Sequence, residues 1–188
     1  MSKISFLDVE TTGLSPKFSF VHQIAGEIWV NDIKVDCFDL KVRPPSWAQI
    51  NKRALEVSGT TEEQLRNYPS VIEAYAEFTE IFNKHCDSGK FRFAAYNAHF
   101  DWKFVRGFVA EAEKYTTRVD SMNKYFYYEP LDVLKLVRQY FRDMGLVLDS
   151  YSLGNIADFF GVKTDGAHQA NNDVRIMVEI YKIIKDEI

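Results

Sequence analysis

Three segments of the sequence place acidic side chains at the edges of hydrophobic elements. Asp8 and Glu10 end an apolar run, Asp101 opens a helical pattern, and Asp173 follows His168. A carboxylate that loses its hydration is destabilised unless a partner compensates its charge. Hard divalent cations such as Mg²⁺ and Mn²⁺ prefer oxygen ligands of this kind. The four acids and the histidine therefore predict a site for two divalent metal ions.

Such a site predicts a particular chemistry. Two ions about 3.5–4 Å apart, bridged by carboxylates, support an in-line displacement at phosphorus. One ion lowers the pKa of the attacking water, and the other stabilises the leaving 3′ oxygen. A histidine with a pKa near neutrality takes the proton of that water, which makes His168 the expected general base. The expected reaction is hydrolysis of a phosphodiester.

The first two acids require a strand to position them, and residues 4–9 predict a buried one. Side chains two residues apart in a strand point to the same face. Asp8 and Glu10 are therefore expected to share a face with Ile4 and Phe6 at the end of the strand. The alternative is an Asp-x-Glu pair on a hydrated surface, where it needs no metal.

The other two acids are expected on the apolar stripes of two helices, over residues 98–113 and 169–186. Asp101 and Asp173 each share a helical stripe with apolar residues, so both should face the core. Asn97 lies at the strand-to-helix junction, either as part of the site or as an ordinary N-cap. His168 is five residues before Asp173 and is expected in the preceding loop, from which it approaches the site sideways.

The remaining elements predict an α/β fold in which a mixed β-sheet is flanked by α-helices. The expected strands are residues 23–30 and 33–42, joined across Asn31-Asp32, and residues 90–96. Helices are expected over residues 48–57, 132–142, with Asp132 as N-cap, and 152–160, ended by Gly161. Two more are expected to start at capping boxes, at residues 60–63 and 70–73. Residues 114–128 are undecided between strand and loop.

Composition limits the class of protein. The chain has 188 residues, 46% of them hydrophobic, which fits one domain over residues 1–188. Its net charge of −4 argues against a protein that coats nucleic acid, but not against an enzyme that grips one strand end. Two cysteines without zinc-ligand spacing predict reduced thiols and a cytoplasmic location. No apolar run reaches about 18 residues and no signal peptide is apparent, so no membrane association is expected.

The three segments together resemble a known family. Phe-Leu-Asp8-Val-Glu10-Thr-Thr-Gly, Asn97-Ala-His-Phe-Asp101 and His168-Gln-Ala-Asn-Asn-Asp173 are similar to the three motifs of the DEDDh, or DnaQ-like, 3′→5′ exonucleases. These enzymes have a ribonuclease H-like fold. The motifs occur in the family's order, and the expected elements match its layout over nearly the whole chain.

The resemblance implies a role for each site residue. It implies that two Mg²⁺ or Mn²⁺ ions are bound by Asp8, Glu10, Asp101 and Asp173, with His168 as the general base. It implies that Thr11, Thr12 and Gly13 line the pocket of the terminal nucleotide, and Val57, Ser58 and Asn97 are further candidates for substrate binding. The family's usual residue at position 58 is histidine. Ser58 leaves the implied catalytic residues intact, but the resemblance then does not specify how the terminal base or sugar is held.

Several functions remain open from the sequence. The favoured one is release of nucleoside 5′-monophosphates from the 3′ end of single-stranded DNA, as in proofreading or repair. The alternatives are an RNA-trimming or oligoribonucleotide-degrading enzyme, and a catalytically silent module that holds strand ends for a polymerase. The chain stops 15 residues after Asp173, which favours a free-standing enzyme over a subunit joined to a DNA polymerase.

Two aromatic segments also have two interpretations. The run from Tyr125 to Tyr128 either stacks exposed bases or belongs to an edge strand or a dimer contact, and the structural role is favoured. Phe18 and Phe20 are expected in a loop, where they either lie beside the entering nucleic-acid strand or pack within the fold. His22 and His85 have no partner pattern in the sequence.

Overall fold

One mixed β-sheet organises the computed structural model, which describes residues 2–86, 89–117, 120–164 and 169–187. Within those residues its strands are β1 (Lys3–Thr11), β2 (Val21–Val30), β3 (Ile33–Lys41), β4 (Arg92–Ala95) and β5 (Leu131–Asp132). They lie in the order β3-β2-β1-β4-β5. The first three pair antiparallel, whereas β1 with β4 and β4 with β5 pair parallel. The predicted mixed sheet is confirmed.

Helices cover both faces of this sheet. They are α1 (Lys52–Ser58), α2 (Glu62–Asn67), α3 (Val71–His85), α4 (Ala98–Glu113), α5 (Ser121–Tyr125), α6 (Val133–Asp143), α7 (Leu153–Phe160) and α8 (Ala170–Ile184). No helix among the described residues has both the length and the apolar character needed to cross a membrane.

The alternation of side chains along β1 divides the interior into two cores. Leu7 and Val9 pack with residues of α3 and α4 in one core, whereas Ile4 and Phe6 pack with residues of α6, α7 and α8 in the other. Because successive strand residues point to opposite faces, Asp8 and Glu10 lie on the α8 face. The predicted shared face with Ile4 and Phe6 is confirmed.

Most local signals in the sequence are confirmed. Asn31 and Asp32 have φ of 50° and 64°, the left-handed pair that a tight hairpin requires. Ser70 and Glu73 form the predicted capping box of α3. Asp132 accepts a hydrogen bond from the amide of Leu134 as the N-cap of α6.

Other boundaries need correction. The capping box near 60–63 is one residue later, because Thr61 is paired with Gln64. The helix expected from residue 48 begins at Lys52, where Asn51 caps its N-terminus. The undecided stretch contains α5, and the two-residue strand β5 was not predicted. Both depend on contacts with distant segments: Tyr75 Oη meets Ser121 Oγ of α5 at 2.6 Å, and β5 pairs with β4.

Candidate active site

Three carboxylates converge where β1 ends and α8 begins. Asp8 and Glu10 point to the face that α8 covers, and Asp173 lies in the first turn of that helix. One oxygen from each lies within 4.8 Å of the other two, and no second such group of potential metal ligands occurs among the described residues. The side-chain alternation of a strand and the apolar stripe of a helix therefore bring together acids that are 163 to 165 residues apart in the chain.

The fourth acid approaches from the opposite face of the sheet. Asp101 lies in the first turn of α4 and is 3% exposed. Its Oδ1 accepts a hydrogen bond of 3.2 Å from the backbone amide of Val9. Val9 lies between Asp8 and Glu10, so Asp101 is fixed against the same stretch of β1. It is outside the three-oxygen cluster, but its charge raises the pKa of Asp8.

Crowding and burial make the ionised state of these acids expensive. Burial, followed by the charges of Asp101, Asp173 and Glu10, raises the pKa of Asp8 well above its usual value. Burial and the charge of Asp173 raise the pKa of Glu10 to about 7, although Lys41 opposes the shift. Burial raises the pKa of Asp101 to about 8 against the stabilising hydrogen bonds of backbone amides.

This donor set fits divalent metal ions. Carboxylates this close repel each other and hold protons more strongly, and a bound divalent ion reverses both effects. The ligands are all oxygens, as Mg²⁺ and Mn²⁺ prefer. The cluster of Asp8, Glu10 and Asp173 can therefore hold metal, with Asp101 beside it.

The loop after β1 is fixed by hydrogen bonds. Thr11 Oγ1 donates to the carbonyl of Gly13 at 2.8 Å. Thr12 Oγ1 donates to the carbonyl of Gln49 at 2.7 Å and accepts from the amide of Phe20 at 3.0 Å. Thr12 is fully buried, so its side chain acts by holding the loop in place. A side chain at Gly13 would put its Cβ 2.5 Å from Ser19 Oγ.

Position 58 contacts a buried histidine. His22 is fully buried, and its Nε2 lies 3.4 Å from Ser58 Oγ. Ser58 Oγ donates its hydrogen to the carbonyl of Leu55 at 3.2 Å. It therefore accepts the hydrogen bond from His22. Burial, and then the charge of Lys41, lowers the pKa of His22 to about 4. A neutral imidazole thus supports the end of α1, next to the exposed Val57.

His22 reaches this position through a β-bulge. Glu10 pairs with Gln23 and Thr11 pairs with Val21, so His22 is the extra residue of β2. A bulge re-aims one side chain and is frequent beside active sites. Sequence reasoning gave His22 no role, because a bulge leaves no periodic signal; the imidazole's Nδ1 finds no hydrogen-bond partner among the described residues.

The other predicted residues are placed as follows. Asn97 is exposed and occupies the N-cap position of α4 with φ of 65°, but its side chain makes no capping hydrogen bond. His99 is exposed. His168, the expected general base, lies outside the described residues. Asp132 at the end of β5 contributes a charge that raises the pKa of Asp101.

Fold and site together define a class: an α/β protein that gathers carboxylates able to hold a metal ion at one end of a mixed sheet. The sequence profile of the family described as Exonuclease (RNase T) matches residues 5–181. The chain belongs to this exonuclease family, and the DnaQ-like resemblance is confirmed.

The chain is similar to bacterial proteins named for DNA polymerase III. The epsilon subunit of Aquifex aeolicus is 30% identical over 182 residues, which are 97% of this chain and 80% of the relative. The PolC-type polymerase of Thermotoga petrophila is 28% identical over 176 residues, which are 93% of this chain. The chain spans 11% of the length of that PolC-type relative.

Solved structures share the fold. Escherichia coli exonuclease I in complex with a dT13 oligonucleotide superposes with a TM-score of 0.79 at 18% identity, over 98% of this chain and 41% of its own. Cell-death related nuclease 4 superposes with a TM-score of 0.77 at 18% identity, over 100% of this chain and 64% of its own. These similarities establish the ribonuclease H-like fold.

Proposed function

We propose that this chain is a two-metal-dependent 3′→5′ exonuclease that releases nucleoside 5′-monophosphates from single-stranded nucleic acid, with DNA favoured. The observation that carries the proposal is the convergence of three carboxylates within 4.8 Å, with Asp101 bonded to the same strand. Buried acids in such number destabilise a fold unless they serve a ligand, which argues against a silent module.

Asp8, Glu10, Asp173 and Asp101 would hold two ions, Mg²⁺ or Mn²⁺. When bound, such ions polarise the scissile phosphate and favour ionisation of the attacking water. The protein contributes an arrangement of ligands that needs little reorganisation, because Asp101 is fixed by the Val9 amide. The strand and the helix N-terminus that carry the other three are parts of the packed core.

The remaining roles fall to residues around the cluster. His168, by its place five residues before Asp173, takes the proton of the attacking water on its imidazole nitrogen. The loop of Thr11, Thr12 and Gly13 directly continues the strand that carries Asp8 and Glu10. Its fixed backbone borders the space that a terminal nucleotide would occupy, and Val57 and Ser58 are the candidates for the other wall.

Relatives favour DNA as the substrate and a DNA polymerase as the first partner to test. The relatives are named as DNA polymerase III proteins, and the superposed exonuclease I carries a dT13 oligonucleotide. Co-migration with a replicative DNA polymerase of the same cell in gel filtration would support that partner. Separate migration would favour the free-standing enzyme.

The decisive experiment uses 5′-labelled single-stranded DNA and RNA of the same sequence with Mg²⁺ or Mn²⁺. The wild type should give a ladder of 3′-shortened products, faster on DNA, and Asp8→Asn should give none. Asp149→Asn, at an exposed acid, is the matched control and should retain activity. A faster RNA ladder would favour the RNA-trimming enzyme, and intact strands with bound protein would favour the silent module.

A further inference from the structure

A groove at the other end of the sheet carries basic and aromatic side chains that the carboxylate site does not use. Its volume is about 690 Å³. The side chains that define its chemistry are Lys90, Arg92, Tyr127 and Tyr128. We call this the basic groove.

The basic groove is separate from the carboxylates. Lys3 lines it at the start of β1, five residues before Asp8, which is about 17 Å along a strand. Tyr181 also lines it, eight residues after Asp173, which is about 12 Å along a helix. Both elements run from the groove to the carboxylates, so the two sites lie at opposite ends of β1 and α8.

A short backbone pairing builds the aromatic wall of the groove. The amide of Phe91 donates to the carbonyl of Tyr125 at 2.8 Å, and the amide of Tyr127 donates to the carbonyl of Phe91 at 3.0 Å. This pairing buries Tyr125 and Phe126, whereas Tyr127 and Tyr128 are 56% and 76% exposed. Core packing accounts for the first two aromatic residues of the run, and leaves the last two facing solvent.

The charge of the groove favours an anionic ligand. Lys90 and Arg92 are exposed, and neither forms an ion pair with another residue of the described parts of the chain. Lys3 adds a third positive charge in the wall of the groove, but it is buried and its Nζ donates to the carbonyls of His85 and Gly89. Glu129 is the acid among the lining residues. This excess of positive charge occurs on a chain whose net charge is −4.

We propose that the basic groove binds the 5′-ward part of the single strand whose 3′ end is at the carboxylates. Tyr127 and Tyr128 offer ring faces on which bases stack, and Lys90 and Arg92 pair with phosphates, the combination by which proteins hold single strands. At the stacked spacing of about 3.4 Å per nucleotide, the roughly 17 Å of β1 between Lys3 and Asp8 corresponds to about five nucleotides. The identity of the ligand rests on the proposed function.

Binding is measured without catalysis, so that a failure of the groove is distinguishable from a failure of the exonuclease. Fluorescence anisotropy of 5′-labelled dT20 and dT3 is recorded in EDTA, where the strand stays intact. The groove variants are Tyr127→Ala/Tyr128→Ala and Lys90→Ala/Arg92→Ala. The matched controls are Tyr115→Ala, at a tyrosine that is 71% exposed, and Lys135→Ala/Arg142→Ala, at two exposed cations of α6.

The tyrosine double variant should weaken dT20 binding at least about fivefold, since one stacked base contributes about 1–3 kcal/mol. The Lys90/Arg92 double variant should lower the slope of log Kd against log salt by about 1.4, because each phosphate contact contributes about 0.7. The groove variants should bind dT3 as the wild type does, and the control variants should bind dT20 as the wild type does. Melting temperatures identify any variant that is misfolded.

Equal affinity of wild type and both groove variants for dT20 would overturn the proposal. Binding of a polyglutamate peptide that depends on Lys90 and Arg92, without an effect on dT20, would also overturn it and assign the groove to an acidic protein partner. Loss of dT20 binding in the groove variants would support the groove even if the carboxylate site proved inactive.

Discussion

The backbone amide of Val9 donates a hydrogen bond of 3.2 Å to Asp101 Oδ1, and this bond joins the two faces of the sheet. Val9 packs toward α4, whereas its neighbours Asp8 and Glu10 point toward α8. The bond therefore places an acid of α4 against a strand whose other acids meet Asp173 on the opposite face. The carboxylate site is built around the end of β1 and needs both layers of helices.

Replacement of Asp101 by Asn should stabilise the metal-free protein. Folding raises the pKa of Asp101 from 3.8 to about 8, so its contribution to stability falls as the pH rises from about 4 to about 8. Asn keeps an oxygen for the Val9 amide and carries no charge. We expect a gain of about 2–4 kcal/mol at pH 8 that vanishes near pH 4, since each pKa unit corresponds to about 1.4 kcal/mol.

Urea denaturation of wild type and Asp101→Asn in EDTA, at pH 4 and pH 8, measures this gain. Asp149→Asn, at an exposed acid, should differ little from wild type at either pH. Excess Mg²⁺ should reverse the order, because the wild type alone keeps all four ligands. A loss of stability in Asp101→Asn at pH 8 without metal would contradict the raised pKa of Asp101.

Binding of metal should release protons. Burial and the charge of Asp173 raise the pKa of Glu10 to about 7, and the pKa of Asp8 is also raised. A cation binds the ionised forms, so its affinity should increase as the pH rises from 6 to 8, by about tenfold per unit for each proton released. Calorimetry in buffers of different ionisation enthalpy counts these protons.

The melting temperature gives an independent check of the metal site. At a metal concentration of a hundred times Kd, mass action stabilises the folded state by about 2.7 kcal/mol. Asp8→Asn should abolish both this shift and the proton release. A pH-independent affinity for Mg²⁺ and Mn²⁺ would show that the acids do not hold protons in the free protein.

Much of the site follows from the sequence because each part of it is local. Two-residue alternation in β1 sets Asp8 and Glu10 side by side, and the helical stripe of α8 turns Asp173 toward the sheet. Periodicity within one element does not specify which face of the sheet that element covers, however. The approach of Asp101 from the opposite side to Asp173 therefore appears only in the structure.

Features that depend on pairing between distant segments were missed for the same reason. His22 is displaced by a bulge that exists only because Thr11 pairs with Val21, and no pattern in β2 alone reveals it. The strand β5 has two residues, too few for an alternation. Helix α5 has five, and is stabilised by partners such as Asn83, whose Oδ1 accepts from Tyr125 Oη at 3.0 Å.

His22 and Ser58 should be energetically coupled. The hydrogen bond between them is long, 3.4 Å, but His22 is fully buried, so loss of the partner leaves an unpaired polar group. Ser58→Ala should therefore cost about 1–2 kcal/mol in wild type and much less in a His22→Phe background. Urea denaturation of the four proteins gives the coupling energy, expected at about 0.5–1.5 kcal/mol.

A control variant and a kinetic measurement complete this comparison of the four proteins. Ser46→Ala, at an exposed serine, is the matched control and should change stability by less than about 0.5 kcal/mol. If the pair supports the end of α1 against the terminal nucleotide, Ser58→Ala should raise KM while kcat changes little. Additive stability effects of His22→Phe and Ser58→Ala would mean that the two side chains act independently.

The pH dependence of hydrolysis has two sources that must be separated before His168 is assigned as the base. Protonation of Glu10, with its pKa near 7, and of His168, with a usual pKa of about 6.5, both reduce the rate at low pH. Saturating Mn²⁺ favours the ionised carboxylates and moves their titration to lower pH. The fall in rate at low pH that remains at saturating Mn²⁺ should belong to His168.

His168→Gln should lower kcat by about 10²–10⁴ and flatten the pH–rate profile from pH 5.5 to 8 at saturating Mn²⁺. If the fall in rate at low pH in His168→Gln matches that of the wild type and shifts only with the metal concentration, the carboxylates alone set the pH dependence and another group accepts the proton.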